Sequence, residues 1–114
     1  MEKDEKVFKS ECIKWINRLN LNDWDIGYII NEDNIVDEIL ERANGHLMIN
    51  PDARKATICL CKNREEFVMV ENIAKHECLE ILMADIGNLL RRYYSEEVIN
   101  DEIHKVINKL MVAL

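Results

Sequence analysis

The feature that most constrains the fold of this chain is a long stretch with almost no helix breakers. Residues 64–93 include no proline and a single glycine, Gly87, and good helix formers dominate them. The stretch therefore predicts one long helix that ends or bends near Gly87. Its middle, residues 74–84, reads AKHECLEILMA, in which a histidine and two glutamates interrupt a strongly apolar run. Such a helix must bury its apolar face, and polar side chains embedded in that face need a partner.

The first half of the chain combines one helical pattern with three strand patterns. Apolar side chains recur at helical spacing in residues 6–20, which predicts an amphipathic first helix. Residues 24–30 alternate and are rich in aromatic and β-branched side chains, which predicts a strand. Residues 43–50 and 55–61 are two apolar runs separated by a turn that contains Pro51, and they predict an antiparallel hairpin.

The remaining patterns complete an α-β-β-β-α-α order. Residues 31–42 carry both turn-forming and apolar side chains, and we expect a loop with some helix there. Ser95, followed by two glutamates, predicts the start of a last helix with an apolar stripe. We predict a single α+β domain over residues 1–114, in which helices pack on one face of a small three-stranded, mainly antiparallel sheet.

Composition argues against several classes of function. The formal net charge of −7 and the lack of a clustered basic stripe argue against a nucleic-acid partner. The apolar runs are short and the N-terminus is charged, so we expect neither a membrane segment nor a secretory signal and predict a cytoplasmic protein. The cysteines lie inside apolar patterns and are expected to be reduced structural thiols: Cys12, Cys59, Cys61 and Cys78.

His76 and Glu80 lie one turn apart and project to the same side of the predicted long helix, whereas Glu77 points about 100° away from His76. Two arrangements satisfy the pair of His76 and Glu80. In the first, the two side chains form an ion pair within the helix or reach a basic side chain outside it: Arg42, Arg54 or Lys55. In the second, they bind a divalent metal ion, since ligands one turn apart fit the tetrahedral shell of zinc.

The motif that begins at His76 stands in a wider pattern. It reads H-E-x-L-x-x-L, it follows a strand of the A-x-I-x-L type at residues 56–60, and a W-x-I strand at Trp24 and Ile26 comes earlier. This pattern resembles the minimal zincin-like metallopeptidases, many of them encoded by phages and prophages, over residues 15–110. The resemblance implies a zincin-like fold, a bound zinc ion and a peptide or protein substrate. The glutamate after the first histidine of an H-E-x-x-H motif acts as the general base, and Glu77 holds that position.

The chain departs from the H-E-x-x-H motif at one position, because Glu80 replaces the second histidine. A carboxylate is an accepted zinc ligand, so we expect metal binding to persist, but its negative charge makes water on the metal less acidic and weakens the case for catalysis. The resemblance places the third ligand on the last helix, where His104 occupies the matching position. Asp101 and Glu102 are the alternatives there, and His104 is otherwise a half-exposed residue beside the apolar stripe.

Two further groups compete with this site. His46, in the second predicted strand, is interpreted as a surface residue and is not assigned to the metal. Cys59 and Cys61 share one face of a strand, but a C-x-C pair without a second pair is weak evidence for a thiolate site. Two hypotheses remain for the protein. One is a small zinc-dependent metallopeptidase whose strand edge at residues 43–50 binds an extended peptide; the other is a catalytically inactive zincin-like binding or assembly module of phage or prophage origin.

Overall fold

The computed structural model describes residues 2–32, 44–61, 64 and 68–114. Its helices and strands are, in chain order, α1 (Glu2–Arg18), β1 (Asp25–Glu32), β2 (Gly45–Asn50), β3 (Lys55–Cys61), α2 (Val70–Leu90) and α3 (Glu96–Ala113). This order confirms the predicted α+β class. The first two residues of the predicted loop with some helix belong to β1, and residues 33–43 lie outside the described residues. None of the helices within the described residues is long and apolar enough to cross a membrane.

The sheet has the strand order β1-β3-β2 and is mixed, not mainly antiparallel as predicted. The predicted hairpin is present, because β2 pairs with β3 in the antiparallel sense with Gly45 opposite Leu60. β1 pairs with the other side of β3 in the parallel sense, with Asp25 opposite Lys55. The prediction was wrong because β3 inserts between β1 and β2. Strand patterns along a sequence define the strands but carry no information about which strand occupies the centre.

The core lies between the sheet and the helices α1 and α2. β3 supplies the sheet side through Ala56, Ile58 and Leu60, which are all buried. The helical side of the same cluster is formed by buried residues of α1 and α2: Phe8, Cys12, Trp15, Val70, Ile73, Ala74, Cys78 and Ile81. All four cysteines are buried, as their position inside apolar patterns predicted. Burial of these apolar side chains is the main force that holds α2, with its polar residues, against the sheet.

The long predicted helix differs from α2 at its N-terminal boundary. α2 begins at Val70 and not near residue 64. Arg64 instead precedes the helix, where its guanidinium group donates to the carbonyl of Cys61 at 2.8 Å and pairs with Asp4 at 3.0 Å. Gly87 does not end the helix, which continues to Leu90. A Cβ atom at Gly87 would lie 3.0 Å from Ile103 Cδ1, so this glycine serves the close approach of α3.

α3 begins as predicted at Ser95, whose side chain caps the helix by accepting a hydrogen bond from the backbone N–H of Val98. Ile99 and Ile107 are buried and form its apolar contact face. Near the other end of α3, Lys75 donates from Nζ to the carbonyl of Met111 at 2.6 Å. These contacts lay α3 along α2 and bring the middle of α3 beside the histidine and glutamates of α2.

Candidate metal centre

Three predicted ligand residues converge between α2 and α3. His76 and Glu80 lie one turn apart on α2, with 3.4 Å between His76 Nε2 and Glu80 Oε1. His104 of α3 faces the same carboxylate oxygen, with 3.2 Å between His104 Nε2 and Glu80 Oε1. One ligand atom from each residue lies within 4.8 Å of the other two. Among the described residues this is the only group of three potential ligands close enough to share an ion.

The spacing of these atoms matches what a small cation needs. Two ligands that bind zinc at about 2.0–2.1 Å with tetrahedral angles lie about 3.4 Å apart. The two nitrogen–oxygen distances of 3.4 and 3.2 Å are therefore close to edges of such a tetrahedron. The two imidazole rings lie 5.8 Å apart between centroids and are inclined by 33°, so neither ring blocks the other from the space beside Glu80.

The orientation of the His104 ring also suits metal binding. Its Nδ1 atom lies 2.8 Å from the backbone carbonyl of Asn100. A carbonyl oxygen only accepts hydrogen bonds, so Nδ1 carries the proton and, in the neutral ring, Nε2 presents a lone pair towards Glu80. A hydrogen bond from the second ring nitrogen to a carbonyl is the usual support of a histidine that binds a metal. The helical spacing of Asn100 and His104 provides this bond within α3.

The triad is partly open to solvent. The side chains of His76, Glu80 and His104 are 30%, 24% and 46% exposed. Burial acts to raise the pKa of Glu80, but hydrogen bonds with His76 and Glu77 and the charges of the two rings outweigh it, so that this pKa lies below its usual value. Glu80 therefore carries a negative charge at neutral pH, and a cation or protonated histidines must balance it.

Glu77 lies deeper than the triad, at 5% exposure. Burial raises the pKa of Glu77 well above its usual value, and the neighbouring charge of Glu80 raises it further. Its Oε2 atom has no hydrogen-bond partner among the described residues. The pKa values of the two carboxyl groups are thus shifted in opposite directions, towards the ionised form for Glu80 and towards the protonated form for Glu77. Separation of this kind is typical of functional pairs of carboxyl groups.

Among the cavities that residues of the triad line, two also contain residues of β2 and α2 in their walls. The first, a cleft of about 330 Å³ between β2 and α2, contains His76 and Glu77 in its wall. Asn44, Gly45 and Asn72 also line it, with Ile73 and Met111 among the apolar contributors. The second, of about 220 Å³, contains Glu80 and His104 and is otherwise mainly apolar. A ligand bound in either cavity would contact the triad directly.

The other candidate residues do not join the site. His46 pairs with Cys59 in the sheet register, is half-buried and lies outside the group of three ligands. Of the alternatives on α3, Asp101 is exposed and Glu102 pairs with Lys105 at 2.8 Å.

Of the basic partners proposed in the ion-pair hypothesis, the two described residues, Arg54 and Lys55, form no ion pair with Glu80. Arg54 pairs with Asp23 and Asp85 and stacks over Trp24. Arg42 lies outside the described residues, and Lys55 is exposed at the start of β3. The ion pairs that the structure shows for Glu80 are those with His76 and His104, within the triad itself.

The sequence interpretation missed the cleft and the residues beside it. Asn44 and Gly45 were predicted only as part of the strand at residues 43–50, and Asn72 carried no prediction. The Asn-Gly pair was visible, but its place opposite Glu77 depends on how β2 lies on α2. Comparison of the chain with protein-family models, with curated proteins and with solved structures finds no match.

Proposed function

We propose that the protein is a small metal-dependent hydrolase of the zincin-like metallopeptidase type, with His76, Glu80 and His104 as the metal ligands. The observation that carries this proposal is the position of Glu80 Oε1, which lies within 3.4 Å of an imidazole nitrogen from each of two different helices. An ion pair within α2 would need only His76 as the partner of Glu80. A second histidine that approaches from α3, with its tautomer set by a backbone carbonyl, is what a metal site requires.

Each side chain has a separate role in this proposal. His76 and His104 supply neutral nitrogen ligands and Glu80 supplies an anionic oxygen ligand. Glu77 is the general base, since it lies next to the ligands and in the wall of the first cleft. A zinc ion bound by this set supplies Lewis acidity, which polarises a carbonyl group and makes water more acidic. Its positive charge also favours ionised Glu77, the form that accepts a proton.

The substrate proposed for this site is a peptide. β2 is an edge strand in the described sheet and lies against α2, so an extended peptide can pair with β2 and pass the triad. The resemblance to zincin-like proteins over residues 15–110 supports the same substrate class. Phage or prophage origin and a cytoplasmic location are further implications of that resemblance and of composition, and they stay predictions.

The metal proposal is tested by elemental analysis. Protein purified without chelator is expected to contain one zinc ion per chain by mass spectrometry, and His76→Ala and His104→Ala are each expected to lose it. His46→Ala is the matched control, because it also removes a histidine but leaves the triad intact. Two histidines and one carboxylate also suit Fe²⁺, so the same measurement identifies the ion. Wild-type protein that binds no stoichiometric metal would overturn the proposal.

Catalysis is tested with Glu77→Gln, which removes the base but keeps the shape of the side chain. Zinc-dependent cleavage of fluorescently labelled casein is expected in the wild type and is expected to fall by about 10²–10⁴-fold in the variant. Zinc content is expected to be unchanged. Equal activity in the two proteins would exclude Glu77 as the base.

A second candidate function is a binding or assembly module without catalysis. The burial of Glu77 at 5% exposure favours this alternative, because a general base must reach the water it activates. It predicts zinc binding without cleavage of casein, and every measurable function is then expected to survive in Glu77→Gln. Activity that requires both zinc and Glu77 would dismiss it.

A further inference from the structure

Gly45, the first residue of β2, lies unusually close to α2. A Cβ atom built on Gly45 would lie 2.6 Å from Ile73 Cγ2 and 3.0 Å from Glu77 Oε1. Contacts this short require the neighbours to move. By contrast, a Cβ atom on Gly27 of β1 would meet nothing within 4 Å. The lack of a side chain therefore matters at Gly45 and is unimportant at Gly27.

The two contacts at Gly45 involve groups of different kinds. Ile73 is a core residue at 4% exposure, so its displacement affects packing. Glu77 has its carboxyl group at the inner end of the first cleft, with Oε2 lacking a partner among the described residues. Any side chain at Gly45 would compete with Glu77 for the same space. The backbone of β2 thus forms one wall against which the Glu77 carboxyl group rests.

We propose that Gly45 is a positioning residue for Glu77, because its missing side chain leaves the space in which the Glu77 carboxyl group faces the first cleft. This inference rests on the proposed function, in which Glu77 acts beside the bound metal. In this role Gly45 acts through Glu77 and supplies no side-chain ligand to the metal. Its substitution is expected to displace the carboxyl group and leave the three metal ligands in place.

The structure provides a way to separate positioning from packing. Gly45→Ala crowds both Ile73 and Glu77, so it costs stability and displaces the carboxyl group at the same time. Ile73→Ala removes the Cγ2 atom and relieves only the closer of the two contacts. In the Ile73→Ala background, Gly45→Ala therefore tests the contact with Glu77 alone. The same background keeps the test informative if Gly45→Ala by itself does not fold.

The experiment measures the binding of acetohydroxamate to zinc-loaded protein by calorimetry. A hydroxamate binds zinc through its oxygens and offers a hydrogen bond to a nearby carboxylate, so its affinity reports the position of Glu77 without turnover. Gly45→Ala is expected to retain one zinc ion and to lower the affinity about tenfold. The loss is expected to persist in the Ile73→Ala background, to vanish in a Glu77→Gln background, and to be absent in the control Gly27→Ala.

Three outcomes would overturn the inference. Affinity in Gly45→Ala that equals that of Gly27→Ala would show that the contact with Glu77 is unimportant. If Ile73→Ala restored both the stability and the acetohydroxamate affinity of Gly45→Ala, Gly45 would act only through packing. If Gly45→Ala lowered the acetohydroxamate affinity equally in the wild-type and Glu77→Gln backgrounds, Gly45 would act through the shape of the cleft. Failure of the proposed function is distinct, since wild-type protein would then bind no zinc before any glycine is changed.

Discussion

α1 and α3 pack on different sides of α2, and the two interfaces differ in polarity. At the α1 interface, the Cys78 thiol donates to the carbonyl of Cys12 at 3.8 Å, and both cysteines are completely buried. The hydrogen bond with Cys78 and burial raise the pKa of the Cys12 thiol, so that this thiol stays neutral. At the α3 interface, the side chains of His76, Glu80 and His104 meet while partly exposed.

This difference shows how one helix serves both stability and chemistry. The α1 interface excludes water, and its thiols pack as small hydrophobic groups that are inert to ligands. The α3 interface places an ionised carboxylate between two imidazoles and leaves them accessible. A cation bound there would join α2 to α3, whereas the buried α1 interface offers no such group of ligands among the described residues. The attachment of α3 is thus expected to depend on metal and that of α1 is not.

The largest effect is expected from loss of core volume at the α1 interface. Phe8→Ala removes a completely buried ring and is expected to lower the free energy of unfolding by about 3–5 kcal/mol. Ile13→Ala, on the same helix at 54% exposure, is the control and is expected to have little effect. Urea denaturation measures both. Comparable losses in the two variants would contradict the view that α1 is held by its buried face.

Zinc is expected to stabilise the α3 side by a similar amount. Metal that binds only the folded chain adds about 4 kcal/mol at a concentration 1,000 times the dissociation constant. Native-state hydrogen exchange is expected to show the gain in protection first in α3 (Glu96–Ala113) and least in α1 (Glu2–Arg18). EDTA is expected to reverse this gain in protection, and His104→Ala is expected to abolish it. Protection that rises in α1 but not in α3 would contradict the expectation that zinc acts at the α3 interface.

A smaller effect is expected from loss of core volume at the α3 interface. Ile107→Ala is expected to cost about 2–3 kcal/mol, near the lower end for buried isoleucine, because α3 contributes few buried residues. Unlike Phe8→Ala, it is expected to weaken zinc binding, since His104 lies on the same helix. Excess zinc is expected to restore part of the lost stability. Zinc affinity equal to that of the wild type would show that α3 docks independently of Ile107.

The smallest effect is expected at the polar cluster of Arg54, Asp23 and Asp85, which serves as a reference for the triad. Arg54 pairs with Asp23 and holds the pKa of that carboxyl below its usual range. A lowered carboxyl pKa adds stability above the unfolded value of about 3.9, and this contribution is lost as pH falls through the folded value. A double-mutant cycle of Asp23→Asn and Arg54→Gln is therefore expected to give a coupling free energy of unfolding at pH 7 and none at pH 2. Coupling that persists at pH 2 would show that it is not ionic.

Much of the fold was predictable because it depends on local patterns. The boundaries of β3 and the Ser95 cap follow from an apolar run beside a turn and from capping chemistry, which act over a few residues. The start of α2 at Val70 was missed, because helix propensity is local and cannot predict that Arg64 pairs with Asp4 and donates to the carbonyl of Cys61. The mixed sheet was missed for a similar reason, since strand order depends on contacts between distant segments.

The sequence by itself determined that His76 and Glu80 share one side of a helix, because a helical repeat of 3.6 residues requires it. It also determined that their surroundings are apolar and that the pair needs compensation. Only the tertiary structure decided that His104 meets Glu80 and that Gly45 meets Glu77, because both contacts join elements far apart in the chain. Such contacts depend on how buried surfaces pack, which no local pattern encodes.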